Sequence, residues 1–283
     1  MLTIDEIILT NDLRGVSALR PHVPADSCDR AAQLLLANPG TVLIATGFYI
    51  LSGGAAETDG PPGAVAIGDA LGTLGYDVQY VTDLYGVPIL TAMGVPSDAL
   101  IEFPITDDSE SQTFSDTVTG ELKPSVLIAI ERCGLSEDGI YRNMRGRDIT
   151  GFTARTDHMF RHHQATIGIG DGGNEIGMGG LAKVIPTVPS LVQMPAMTKT
   201  TEIILSSVSN WGGYGLVAAL SMRVGKNLLP TPQAERDLIG QAVDAGAVDG
   251  VLGKSTYGVD GLTMEQNSLG LERLHALLAD QGL

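Results

Sequence analysis

The chain has 283 residues, a hydrophobic fraction of 43% and a formal net charge of −16 at pH 7. That length can bury a substantial core, and so acidic a chain lacks the basic footprint a nucleic-acid partner requires. The longest strongly apolar stretch, 41–51, ends at Ser52-Gly53-Gly54, short of the roughly twenty residues a membrane helix needs, so no membrane partner is expected.

The opening MLTIDEIILT carries acids where a secretory signal carries bases, and Cys28 and Cys133 form neither a disulfide framework nor a metal-ligand spacing; a cytoplasmic location is the expectation. Helices are expected at Ile4–Leu9 and Ser27–Ala37, then a strand at Thr41–Thr46. A glycine-rich turn, Gly53–Gly63, carries Glu57 and Asp59 into a helix at Pro61–Leu74, its first turn suited to two prolines. Strands at Asp77–Val81, Leu100–Phe103, Ser125–Ile130, Thr166–Ile169 and Glu202–Val208 alternate with helices at Leu84–Met93, Arg155–Arg161, Glu175–Ala182 and Gly212–Val224. Helices at Thr231–Ala245 and Met264–Leu278 follow. This rhythm predicts an α/β fold: a mostly parallel sheet flanked by helices, in a Rossmann-like three-layer architecture without a dinucleotide fingerprint. One domain is expected over 1–283, with a helical lead-in at 1–40, a core at 41–262 and a C-terminal helix at 263–283. The echo of Val248-Asp249-Gly250 in Val259-Asp260-Gly261 reads as two turns, each with an aspartate.

In a parallel sheet the loops leaving the carboxyl ends of the strands converge on one edge, so they are read jointly. The densest is Gly168–Gly180, GIGDGGNEIGMGG, whose seven glycines permit close backbone approach while Asp171, Asn174 and Glu175 supply oxygen donors. The Glu57–Asp59 turn could present a helix N-terminus to an anion, but it has neither a Walker lysine nor a GxGxxG pattern. After Ser125–Ile130 come Glu131 and Arg132, then Asn143, Arg145 and Arg147; guanidinium forks suit capture of a carboxylate, and the plain alternative is a solvated loop. Asn210, beside the only tryptophan, Trp211, can cap a helix or orient a ligand, while Trp211 itself reads as a packing residue. Cys133 reads as a buried thiol rather than a nucleophile. His158 and His162, one turn apart, read as a solvated face rather than a metal pair. Oxygen donors dominate, so any metal on Asp171 and Glu175 is expected to be hard, Mn²⁺ or Mg²⁺, with no organic cofactor.

The blocks GFYI with ETDGPPGA, ERCG with EDGIYRNMRGRDIT, GDGGNEIGMG and SNWGGYGL resemble the D-glutamate cyclase family, specifically the module at the C-terminal end of the longer animal proteins, over about Thr41 to Leu262. The resemblance implies a hydro-lyase that dehydrates D-glutamate to 5-oxo-D-proline, the α-amine attacking the side-chain carboxyl. From residue chemistry, Asp59, Asp171 and Glu175 are expected to hold the ammonium or a metal, and Glu57 and Glu131 to move protons. Arg132, Asn143, Arg145, Arg147, Asn174 and Asn210 are expected to bind substrate. The partner is then a small amino acid, and a homo-oligomer is compatible. The alternatives are a cyclase or hydro-lyase for another small amino or hydroxy acid, or a non-catalytic amino-acid-binding module.

Overall fold

The structure is a computed structural model and describes residues 2–283. Six strands form one all-parallel sheet: β1 (Thr41–Thr46), β2 (Asp77–Thr82), β3 (Leu100–Glu102), β4 (Val126–Ile130), β5 (Thr166–Gly170) and β6 (Glu202–Leu205). They lie in the order β3-β2-β1-β4-β5-β6. The helices are α1 (Ile4–Ile7), α2 (Ser27–Ala37), α3 (Pro61–Thr73), α4 (Val87–Ala92), α5 (Asp108–Leu122), α6 (Asp157–Phe160), α7 (Ser209–Val224), α8 (Pro232–Asp244) and α9 (Met264–Asp280).

Both faces of the sheet are covered, which is why its strands are nearly continuous apolar runs. Alternate residues serve opposite cores. Val42, Ile44, Val126, Ile128, Ile167 and Ile169 pack with Leu35 of α2, Ile67 of α3, Leu216 of α7 and Leu274 of α9. Leu43, Ala45, Leu127 and Ala129 face the other way, onto Phe103, Val118 of α5, Phe160 of α6 and Ile176.

Two expectations fail. No helix forms over Glu175–Ala182: Glu175 bridges Cys133 in extended pairing, Gly177 adopts φ 108°, and only a 3-10 turn at Gly179–Leu181 follows. In contrast, α5 was not expected, because its inward stripe is partly serine: Ser111, Ser115 and Val118 are buried, with Phe114 and Leu122 beside them. Its start is fixed by Asp107, which accepts from the Glu110 N–H at 2.9 Å.

Strand order reverses between β1 and β4, the position at which open α/β sheets bind ligands. Register aligns Thr46 with Ile130 and Ile130 with Ile169. The following residues therefore leave the sheet side by side.

Candidate active site

Behind this edge, two helices cap each other. Asn210, in the first turn of α7, accepts with Oδ1 from the N–H groups of Gly60 (3.0 Å) and Gly63 (2.8 Å) at the start of α3. Asp59, just before α3, accepts with its carboxylate from Ser209 N–H and Asn210 N–H, both at 2.7 Å, at the start of α7. The helices can come this close because Gly63 has no side chain: a Cβ there would lie 2.9 Å from Asn210 Cα. The α3 N-terminus is thus filled by Asn210 and offers no ligand-anion site. Asn210 is a scaffold residue here, absent from the cavity lining.

A similar closure governs the glycine-dense loop. Glu175 folds back so that Oε1 accepts from Gly172 N–H and Oε2 from Gly173 N–H, each at 2.7 Å. A Cβ on Gly172 would overlap Met144 Sδ and lie 2.9 Å from both Asn174 Oδ1 and Glu175 Oε1, so the loop's own side chains already crowd this position. Asn174 is tied to the arginine loop, donating with Nδ2 to the Arg142 carbonyl at 3.0 Å, while its Oδ1 has no partner.

Six buried carboxylates gather at the switch point: Glu57, Asp59, Glu131, Asp171, Glu175 and Asp260. Oxygens of Asp59, Asp171 and Asp260 lie within 4.8 Å of one another, as do those of Glu131, Asp171 and Glu175, so Asp171 belongs to both groups. One side chain neutralises part of this charge. Arg14 pairs with Asp171 and stands 2.7 Å from Asp260 Oδ1. Asp171 Oδ2 and Asp260 Oδ2 stay buried and unpartnered. An oxygen-only donor set with unfilled acceptors fits a hard divalent cation.

Burial of so many acids favours their neutral forms. Desolvation raises the Asp59 pKa to about 7, with Asp260 adding to it and the hydrogen bonds from Asn210 and Ser209 opposing. Glu57 is pushed well above the ordinary carboxyl range by burial and then by Asp260 and Asp59. Burial, then Glu175 and Glu57, do the same to Glu131, and Asp171 rises through burial although Arg14 opposes it. Glu131 also sits at φ 42°, a left-handed conformation rare outside glycine, and accepts from Ser209 Oγ at 2.6 Å.

A cavity of about 370 Å³ opens onto this centre. Glu57 and Glu131 line its acidic side, with Arg14 beside them. Asn143, Arg145, Arg147 and Asn174 line it as well, while Phe48, Ile50 and Leu51 supply apolar wall. Asn143 shapes the basic loop, accepting with Oδ1 from the N–H groups of Arg145 and Arg147 at 3.0 Å each. Both arginines are exposed, and among the described residues neither has an ion-pair partner.

Of the residues singled out from sequence, Glu57, Glu131, Asn143, Arg145, Arg147 and Asn174 meet at the cavity. Asp59, Asp171 and Glu175 join the carboxylate centre behind it. Arg132 does not reach it, which corrects its expected substrate role. Fully buried and absent from the cavity lining, it pairs with Asp83 at 2.7 Å, donates to the carbonyls of Gly47 and Ala154 at 2.8 Å and to Thr156 Oγ1 at 3.3 Å, so no ligand in the cavity reaches it. His158 is no solvated residue either, since its ring nitrogens lie 2.7 Å from Gln112 and 3.1 Å from Asp108, fastening α6 to α5. Trp211 and Cys133 are buried as expected, and burial lifts the thiol's pKa well above its ordinary value.

Sequence reading missed Arg14 and Asp260. Nothing in the local sequence marks Arg14. Asp260 had a weak signal, the aspartate-glycine turn repeated from Asp249, but the two diverge: Asp249 accepts from the Val251 and Leu252 N–H groups of its own loop and from Gly261 N–H of the second turn, whereas Asp260, at φ 53°, faces Arg14.

Residues 4–275 match the family model described as D-glutamate cyclase-like, C-terminal. The chain is also 29% identical, over 290 aligned residues, to a human protein named D-glutamate cyclase, mitochondrial; the match covers 87% of this chain and 46% of that one. It thus spans about half the length of the curated relative.

Proposed function

The chain belongs to the D-glutamate cyclase-like, C-terminal family, and on that premise we propose that it is a lyase closing D-glutamate to 5-oxo-D-proline and water. The observation that carries the reading is the polarity of the cavity. Two carboxyls with raised pKa, Glu57 and Glu131, and two guanidinium groups without ion-pair partners among the described residues, Arg145 and Arg147, line one cavity of about 370 Å³. A zwitterion with a second carboxylate fits this pattern, its ammonium toward the acids and its α-carboxylate toward the basic loop.

In the reaction the amine nitrogen bonds to the side-chain carboxyl carbon, one carbon–oxygen bond of that carboxyl breaks, and water leaves. The amine must first lose a proton and the departing hydroxyl must gain one. Glu57 and Glu131 are suited to divide those tasks: neighbouring buried carboxyls that disfavour simultaneous ionisation leave one as acid and the other as base. Anchoring the ammonium and the α-carboxylate fixes the α-carbon, and ring closure further needs the side-chain carboxyl turned back onto the amine; such orientation contributes on the order of 7–11 kcal/mol in favourable cases. A hard divalent cation on Asp171 and Glu175 would polarise the reacting carboxyl and leave Glu131 for proton transfer.

The alternative of another small amino or hydroxy acid draws on the same centre. Incubation of the purified chain with D- and L-glutamate, chelated and with Mn²⁺ or Mg²⁺, separates the readings. The proposal expects 5-oxoproline from D-glutamate; binding without product in every condition would point to a non-catalytic module.

A further inference from the structure

Arg14 is the one basic side chain inserted among the six buried carboxylates, and it comes from the lead-in rather than from a sheet loop. Its guanidinium spans two members of the first carboxylate group, with Nη1 on Asp171 and Nη2 2.7 Å from Asp260 Oδ1. The third member, Asp59, is already served by the N–H groups of Gly60, Ser209 and Asn210. The arm that delivers Arg14 is built for the purpose. Asp12 accepts with Oδ1 from the N–H groups of Arg14 and Val16 at 3.1 Å and of Gly15 at 2.7 Å, and with Oδ2 from Ser17 N–H at 2.8 Å and Ser17 Oγ at 2.5 Å. Gly15 at φ 87° lets the chain turn away at once into the 3-10 helix Val16–His22. Arg14 is therefore held on a fixed turn, not on a trailing segment. It also lines the cavity and retains 20% side-chain exposure, so the position it fills adjoins solvent.

We propose that Arg14 is a resident cation: it occupies the Asp59–Asp171–Asp260 position and keeps a divalent ion out of it, leaving the Glu131–Asp171–Glu175 side of the shared Asp171 as the place where a mobile cation binds. The inference rests on the reading of this centre as a cation site. Asp171 Oδ2 and Asp260 Oδ2, buried and unpartnered, supply the acceptors that an ion would use once the guanidinium is gone. A guanidinium that fills the position opposes a second cation there by its charge as well as its volume, so removing it should raise affinity at that position by on the order of 100-fold.

Manganese alone serves as the probe, read by titration calorimetry and by the electron spin resonance of bound Mn²⁺. Arg14→Gln is expected to bind one more Mn²⁺ per chain than the wild type. Arg14→Lys, which keeps the charge, should match the wild type, and Arg14→Gln combined with Asp260→Asn should lose the added ion. Should Arg14→Gln fold poorly without its counter-charge, its melting temperature should rise more with Mn²⁺ than that of the wild type. Equal stoichiometry and equal melting response in Arg14→Gln and wild type would overturn the proposal, as would an added ion that survives Asp260→Asn. These readouts do not require turnover, so a failure to cyclise glutamate would sink the proposed reaction and leave this result to be judged separately.

Discussion

Arg132 and Arg145 illustrate how far a side chain's role depends on where its donors end. Both follow β4 in the sequence, yet the first is consumed by Asp83 and two carbonyls beneath the loop and the second stands unpaired at the cavity mouth. Removing one partner of a buried ion pair leaves the other charge uncompensated, at a cost of about 3–5 kcal/mol. Arg132→Met is therefore expected to lower the melting temperature sharply, and denaturant unfolding measures the loss. The Michaelis constant of the folded fraction should stay near the wild-type value; a weakened Michaelis constant with unchanged stability would return Arg132 to the substrate. At this scale the sequence showed residue types but not directions. Glu57, Glu131, Asn143 and Asn174 could be placed at the site because each lies one loop beyond a strand, whereas Arg14 could not, since its sequence separation of 157 from Asp171 is closed only by tertiary packing.

The elements that matter most are α3 and α7, which exchange caps through Asp59 and Asn210. Losing the Asn210 amide strands the buried N–H of Gly63, while that of Gly60 keeps Asp59 Oδ1, and an unsatisfied buried donor costs about 1–3 kcal/mol. Asn210→Ala should therefore destabilise the chain by that order, seen as a lowered midpoint of chemical unfolding; a change below about 0.5 kcal/mol would mean that water replaces the amide. The strands were legible because fully covered strands are written in β-branched residues with no polar face to mislead. Helix α5 was not, because serine can fill an inward position without registering as apolar. The Glu175–Ala182 segment misled in the opposite sense: Glu175 lies one helical turn beyond Asp171, but the segment's glycines and the Cys133 bridge keep it from forming an α-helix.

For the whole molecule, the net charge of −16 and the raised carboxyl pKa values make pH the controlling variable. Glu235 shows this away from the site. It joins α8 to α9, accepting from Asn267 Nδ2 at 2.9 Å and Ser268 Oγ at 2.7 Å, and its burial raises its pKa to about 7 from an ordinary 4.5. Between those values the folded chain keeps a proton that the unfolded chain has released, so stability is greatest below about pH 4.5 for this group and declines as pH rises to 7. The loss is on the order of 3 kcal/mol for a shift of that size. Asp59, raised from 3.8 to about 7, acts in the same direction. Melting temperatures of the wild type and Glu235→Gln, recorded from pH 5 to 8, should converge at the acid end, with the variant the more stable above pH 7; parallel curves would show that Glu235 ionises freely in the fold.

The switch-point topology, the mutual caps and the Arg14 counter-charge all converge on one claim, that buried carboxyls beside the cavity carry out the cyclisation. Its most direct test is the rate of 5-oxoproline formation from D-glutamate, with Mn²⁺ or Mg²⁺ supplied, by the wild type and by Glu131→Gln. The account predicts product from the wild type and a rate lower by about 10²–10⁴-fold in the folded variant, the usual contribution of a positioned acid or base. No product from the wild type, or an undiminished rate in Glu131→Gln, would contradict it.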